Sequence, residues 1–545
     1  MSRVDTVGRK TKRLLSILLV VLLLAGCSAS GKSAKKTEAA LDQIALLGSS
    51  PDDNYRVWYE IFVYSFCDSD GDGTGDLQGV ISKLDYLQEL GVGGIWLMPI
   101  HPSTTYHKYN VSDYYSIDPA YGTMEDFDAL MEACQQRNIR VILDLVVNHT
   151  GSEHPWFKEA CAYLRDLPQG QDPNAAECPY LDYYSFFPSA GNGLSQVTGT
   201  PWYYESKFSY DMPDLNLANE SLRDELTNIM DFWLKKGVAG FRLDAAKEFY
   251  SGQPSKNKEV LSWLQQTAQS LKPDVYLVAE VWESFTAIAD YYDSGINSIF
   301  NFPFGDSSGK IVSVLRSAGD PATISTYATA LEKADNAYLQ GNAAYIDAPF
   351  LSNHDVGRIA GFVSQDPAKT KLAGAMNLFM SGSAFVYYGE EIGMTGSGDD
   401  PSKRAPMYWN EARDNGTTAS PPGCTLPEEY PFESLELQKG DDGSIYNYYR
   451  QAIAIRNALP VISHGRTTAE IGLNTGCVSA QRKTWGNESC IILMNIDCQK
   501  AQVDLSGYAG WKLAAALCAD GGNVRLTDTT LNLPPWGIAI LRPAA

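Results

Sequence analysis

Four short blocks place ionisable side chains inside apolar runs, and there this 545-residue chain has the means for chemistry. They are Asp144-Leu-Val-Val-Asn148-His149, Arg242-Leu-Asp244, Glu280-Val-Trp282 and Ser352-Asn353-His354-Asp355. In the run from Gly240 to Lys247, strand alternation sends Phe241 and Leu243 to one face and Arg242 and Asp244 to the other. A cation two residues before a carboxylate favours its charged form. An ionised carboxylate held at a strand end is what a covalent nucleophile requires. The same octapeptide also fits an ordinary Arg–Asp ion pair, so the other blocks decide its role.

The elements that would position these blocks follow from periodicity. From Val57 onward, short apolar strands alternate with helical patterns, as in a parallel α/β fold. Eight strand starts are read near Val57, Gly94, Arg140, Gly240, Val275, Ile296, Ala348 and Ala384. Val80, Leu84, Leu87 and Leu90 mark one helix face between the first two strands. Glu125 to Arg137 and Ser221 to Lys236 read as further crossover helices. Eight such units predict a closed (β/α)8 barrel over 51–459. The stretch 150–208, rich in Pro, Gly, Asn and Tyr, is too long for a simple βα loop and predicts a small inserted domain after strand three. Short alternating runs such as Cys490 to Met494 and Gly537 to Leu541 predict a C-terminal antiparallel β-sandwich over 460–545.

In such a barrel the C-terminal strand ends meet at one mouth, which would gather Asp244, Glu280 and Asp355. Three carboxylates in one pocket repel one another, and at least one should hold its proton more tightly, as a general acid must. Two carboxylates flanking a bond is the arrangement for glycoside hydrolysis.

After the first strand, Asp68-Ser-Asp70-Gly-Asp72-Gly-Thr74-Gly-Asp76 places oxygen donors at every second position, with Gly73 at the bend. This matches the first nine positions of an EF-hand-type loop, although no Glu follows at the twelfth. The spacing predicts a structural Ca2+ held by Asp68, Asp70, Asp72, Asp76 and the backbone carbonyl of Thr74.

Together the blocks resemble the α-amylase family of glycoside hydrolases, family thirteen. Further matching stretches are Gly94-Ile-Trp-Leu-Met-Pro99, Tyr106-His107-Lys108-Tyr109, Met212-Pro-Asp-Leu-Asn216 and Tyr388-Gly-Glu-Glu391. The resemblance runs from about Tyr55 to the end of the chain. It implies Asp244 as nucleophile, Glu280 as acid and base, and Asp355 as stabiliser of the oxocarbenium-like transition state. It also implies that Arg242 keeps Asp244 ionised. His107, Tyr109, His149, His354 and Lys247 would then contact the sugar. Asp144 reads as a structural carboxylate of the barrel mouth. A retaining reaction would follow, with the Asp244 and Glu280 carboxyls about 5–5.5 Å apart. Asn148 is a calcium ligand in many relatives. Trp202, Tyr203 and Tyr204 are candidates to stack on further sugars, or to pack the insert on the barrel. Tyr106-His107 resembles the open-cleft pattern that cleaves internal α-1,4 bonds of starch and maltooligosaccharides. Met212-Pro-Asp-Leu-Asn216 resembles enzymes between oligo-1,6-glucosidases and neopullulanases. Glu248 stands where many amylases have His. The rival readings are a cyclomaltodextrinase, neopullulanase, α-glucosidase or glucanotransferase, and a non-catalytic sugar-binding lipoprotein.

Composition sets the outer limits. A net charge of −22 argues against nucleic acid and anionic lipid surfaces as partners. Arg9, Lys10, Lys12 and Arg13 precede the apolar run Leu14 to Leu24, which is too short to span a bilayer. The run ends in Leu24-Ala25-Gly26-Cys27, which resembles the bacterial lipobox. This predicts a signal peptide over 1–26, lipid on Cys27, a polar tether over 27–50, and a cell-surface location with the membrane touched only by that anchor. Cys27 apart, nine cysteines show no metal-binding spacing, and Cys161 with Cys178 are candidates for a disulfide. No glycine fingerprint for a phosphate-bearing cofactor is present.

Overall fold

The computed structural model describes residues 52–544. The expected signal peptide and tether, with Cys27, lie outside the described residues. In chain order the strands are β1 (Trp58–Ile61), β2 (Gly94–Leu97) and β3 (Arg140–Leu145), then β4 (Phe186–Phe187), β5 (Leu194–Gln196) and β6 (Tyr203–Glu205) of an excursion. They continue as β7 (Gly240–Leu243), β8 (Tyr276–Ala279), β9 (Ser298–Ile299) and β10 (Phe385–Tyr387). One sheet takes the order β10-β1-β2-β3-β7-β8-β9, and every neighbouring pair in it is parallel. These strands are buried on both faces, which is why they read as near-continuous apolar runs.

The barrel closes through residues 347–349. Asn301 N–H donates to the Ala348 carbonyl at 3.0 Å, and Phe385 N–H to the Pro349 carbonyl at 2.8 Å. The seventh strand expected at Ala348 is therefore reduced to one parallel bridge with Phe300. Pro349 has no N–H with which to extend the ladder. The expected helix across Val80 and Leu90 also differs. All four marked side chains are buried, but the helix breaks at Lys83 into Leu77–Ser82 and Leu84–Leu90.

The crossover helices are set by caps and by apolar spacing. Thr123 and Asp126 form a capping box on Met124–Gln136. Asn219 caps Glu220–Lys235, whose Leu222, Leu226, Ile229 and Trp233 turn one face inward. The excursion after β3 holds the helix Pro155–Asp166 and a three-stranded antiparallel sheet, β4-β6-β5. Bridges His149↔Asp214 and Tyr184↔Leu215 tie its ends back to the barrel mouth. Beyond the helix Val461–His464, a five-stranded and a three-stranded antiparallel sheet enclose a second core that includes Val478, Leu493, Leu531 and Leu541.

All nine cysteines from Cys67 onward are free thiols, so the candidate pair Cys161 and Cys178 is not a disulfide here. Among the described residues no helix is long and apolar enough to cross a membrane.

Candidate active site

Backbone register brings the polar blocks together. Asp144 on β3 is paired in register with Arg242 on β7, and Leu243 with Ala279 on β8. Glu280 N–H then donates to the Leu243 carbonyl at 3.0 Å, and Ala246 N–H to the Glu280 carbonyl at 3.0 Å. Glu280 therefore sits beside Asp244. Between these two bonds Ala245 takes a left-handed turn, φ 47°, which aims its N–H at Glu280 Oε2, 2.9 Å away. Such a conformation in a non-glycine residue is held by its surroundings.

Arg242 lies beneath the acids and is 1% exposed. Its Nη1 donates to Asp244 Oδ1 at 2.7 Å and to Asp144 Oδ1 at 2.8 Å, while Nη2 lies 2.8 Å from Glu280 Oε2. One guanidinium thus serves three carboxylates. Burial raises the pKa of Asp244, and the shared Arg242 lowers it without overcoming that rise. Arg242 thus favours the ionised form of Asp244 against the cost of burial. Burial also raises Glu280, against the pull of Arg242. Asp144 is pushed up to about 7 by burial, again against Arg242. Its Oδ2 accepts from the Tyr109 hydroxyl at 3.1 Å.

Asp355 behaves oppositely. Burial would raise it, but the His354 imidazole and the Arg404 and Arg242 guanidiniums hold it well below the usual carboxylate range. His354 Nε2 lies 3.0 Å from Asp355 Oδ2, and Arg404 Nη2 donates to Oδ1 at 2.8 Å. His354 Nδ1 meets Glu60 Oε1 at 2.6 Å, and the Tyr109 hydroxyl meets Nε2 at 2.6 Å. Burial works against the imidazolium, but Asp355 and Glu60 outweigh it and raise His354 to about 9.

Asp244, Glu280 and Asp355 line one open cavity of about 900 Å3 together with His107, Tyr109, His149 and Lys247. His149 Nε2 has no protein partner. Burial lowers both His107 and His149 to about 4, so both rings are neutral near pH 7. Lys247 Nζ donates to the Trp282 carbonyl at 2.9 Å. Arg242, expected to serve Asp244, and His354, expected at the sugar, do not line the cavity and turn their polar atoms to the acids. Trp202, Tyr203 and Tyr204 do not line the cavity. Tyr204 packs edge-on against Phe157 within the insert, and Phe208, half exposed, takes the place on the cavity wall.

Sequence reasoning missed Arg404 and Glu60. Glu60 had a signal, a carboxylate inside the apolar strand β1. Arg404 had none, because it lies in a loop after β10 and acts only through its contacts.

The loop after β1 brings carboxylate oxygens of Asp68, Asp70 and Asp76 within 4.8 Å of one another. That donor set fits a hard divalent cation. Asp72 stays outside the group, and its Oδ1 accepts the Thr74 N–H at 2.6 Å. Gly73, at φ +95°, makes the bend, and its N–H donates to Asp68 Oδ2 at 2.8 Å. Asp76 also caps the helix Leu77–Ser82 through Gly79 N–H. Asn148 sits apart from this loop and donates to Asp214 Oδ1 at 3.3 Å.

A closed parallel barrel with acids gathered at the carboxyl ends of its strands defines a (β/α)8 enzyme with a glycosidase-like mouth. The family profile described as "Alpha amylase, catalytic domain" matches residues 60–465, and the chain belongs to that family of hydrolases. It is 42% identical over 419 residues to Alpha-amylase 3 of Dictyoglomus thermophilum, covering 75% of this chain and 78% of that one. It is 30% identical over 532 residues to an oligo-1,6-glucosidase of Parageobacillus thermoglucosidasius, covering 81% and 90%. Among solved structures, Eubacterium rectale Amy13B superposes with a TM-score of 0.89 at 43% identity, covering 93% of this chain and 99% of that one.

Proposed function

We propose that this chain is a retaining α-amylase that cleaves internal α-1,4 bonds of starch and maltooligosaccharides. The observation that carries the reading is the pair Asp244 and Glu280, held on neighbouring nitrogens of Arg242 and facing one cavity. Such closeness suits attack by one carboxylate and proton donation by the other. In the first step Asp244 attacks the anomeric carbon, and Glu280 gives its proton to the departing glycosidic oxygen. The raised affinity of Glu280 for its proton favours that role. In the second step Glu280 takes a proton from water, and the resulting hydroxide displaces Asp244. The net result is one water added and one glycosidic bond broken. Asp355, kept anionic, stabilises the positive charge that develops on the sugar. Tyr109, His107, His149 and Lys247 hold the ring at the cavity wall.

The open mouth and the relatives named alpha-amylase support the internal mode of cleavage. The oligo-1,6-glucosidase relative favours a second reading, with α-1,6 bonds of short oligosaccharides as substrate. Product analysis over time on soluble starch, cyclodextrin, pullulan and isomaltose separates the two. Early release of mixed maltooligosaccharides from starch, with the α-anomer formed first, is the expected result. Glucose as sole early product, or the β-anomer, would overturn it.

A Ca2+ ion on Asp68, Asp70 and Asp76 would brace the β1 loop, with no part in the chemistry. Lipid on Cys27 would place the enzyme on the outside of a bacterial cell. Release into the medium on Cys27→Ala is the check.

A further inference from the structure

A second cavity, of about 580 Å3, lies on the insert between the helix Pro155–Asp166 and the end of β5. Its floor is apolar: Phe157, Cys161, Val197 and Tyr204 are all buried. Its rim carries both signs of charge, Lys158 and Arg165 against Glu153 and Glu159. Lys158 Nζ is paired with Glu153 Oε2 at 2.9 Å, and Arg165 Nε donates to the Thr198 carbonyl at 3.4 Å. A rim with its charges cancelled selects neither an anion nor a cation. It suits a neutral ligand rich in hydroxyls.

Tyr210 stands at one end of this groove and is 73% exposed. Its backbone is nonetheless fixed. The Tyr210 carbonyl accepts the Tyr204 hydroxyl, and the next carbonyl, of Asp211, accepts Ser152 N–H at 2.9 Å and Asn110 Nδ2 at 3.2 Å. An uncovered aromatic ring on a pinned backbone is a preformed platform for the apolar face of a sugar. Two residues earlier, Phe208 lines the catalytic cavity. Phe208 and Ser209 line the catalytic cavity and Tyr210 lines this groove, so three consecutive residues border both cavities.

We propose that this groove is an outer binding site for the same α-glucan chain whose reacting bond lies in the catalytic cavity. The proposal rests on the α-glucan reading of that cavity. The site adds contact only for substrates long enough to cross those three residues, so it raises the affinity for polymers and leaves the chemical step alone.

The test compares the wild type with Tyr210→Ala, which removes the platform, and Ala162→Trp, which fills the groove from the exposed face of the helix. Kinetics are measured on soluble starch and on p-nitrophenyl maltotrioside. In both variants KM for starch should rise about threefold to tenfold, with kcat and the maltotrioside constants unchanged. Starch KM unchanged in both variants would overturn the proposal. An equal rise on both substrates would also overturn it, because it would put Tyr210 in the cleft. A wild type that hydrolyses neither substrate would remove the α-glucan reading and this site with it.

Discussion

His354 Nε2 lies 3.0 Å from Asp355 Oδ2, so two sequence neighbours, a buried histidine and a partly exposed carboxylate, form an ion pair at the barrel mouth. Burial opposes the charge on His354, while Asp355 and Glu60 raise its pKa to about 9. In the unfolded chain it returns to about 6.5. A raised folded value means stabilisation that is complete below about pH 6.5 and lost as pH rises through about 9. The melting temperature should therefore fall across that window, and it should fall less steeply in His354→Gln. The buried acids Asp214 and Glu390, raised by burial to about 7 and about 8, add loss of the same sign to both proteins. Equal slopes for wild type and variant would sink the assignment.

Arg242 is the shared ion-pair partner of Asp144, Asp244 and Glu280. Arg242→Met leaves three buried carboxyls without their cation and should cost about 3–5 kcal/mol in denaturant titration. Arg242→Lys restores a charge but not the two-nitrogen fork, so it should recover part of the stability and little of the turnover. A lysine variant with wild-type turnover would show that the fork does not matter.

Gly240 opens β7 against β8. A Cβ there would stand 1.8 Å from the Tyr276 carbonyl oxygen, which is backbone and has no room to yield. Gly240→Ala should destabilise by more than about 3 kcal/mol or fail to fold, as read by thermal melting. A soluble variant melting within a few degrees of the wild type would mean that the two strands separate easily.

If Asp68, Asp70 and Asp76 hold Ca2+, chelation should lower the melting temperature of the wild type, and Asp70→Asn should lower it by a similar amount. The variant and wild type should then coincide in EGTA. Asp76→Ala should stay lower even in EGTA, by about 1 kcal/mol, because it also loses the helix cap. A wild type indifferent to chelation would dismiss the metal.

Glu248 joins barrel to insert. Its Oε2 lies 3.3 Å from Lys207 Nζ and accepts Ser251 Oγ at 2.7 Å, and Lys207 precedes the cavity-lining Phe208. Glu248→Gln keeps the Ser251 bond and drops the ion pair. Stability should change by less than about 1 kcal/mol, since both groups are partly exposed. KM for maltooligosaccharides should rise at least twofold, about 0.4 kcal/mol, as the Phe208 wall loosens, while kcat holds. An unchanged KM would separate the pair from the cleft.

Asp144, Arg242, Asp244, Glu280 and Asp355 were legible in the sequence because burying a charge is expensive. A charged residue in or at the end of an apolar run needs a reason, and four acids with one arginine in one chain point to one mouth. The parallel barrel, the insert and the C-terminal sheets were legible for a similar reason, since periodicity records which side chains meet the core. Who shares which charge was not legible. Glu60 and His354 are 294 positions apart, and Tyr106 and Arg404 are 298 apart, so their contacts exist only once the barrel closes. The net rise of the Asp244 pKa, the one-residue seventh strand at Ala348, and the choice of Phe208 over Trp202 at the cleft were decided in the same way. Each depends on distances and on the exclusion of water, and a linear order of residues contains neither.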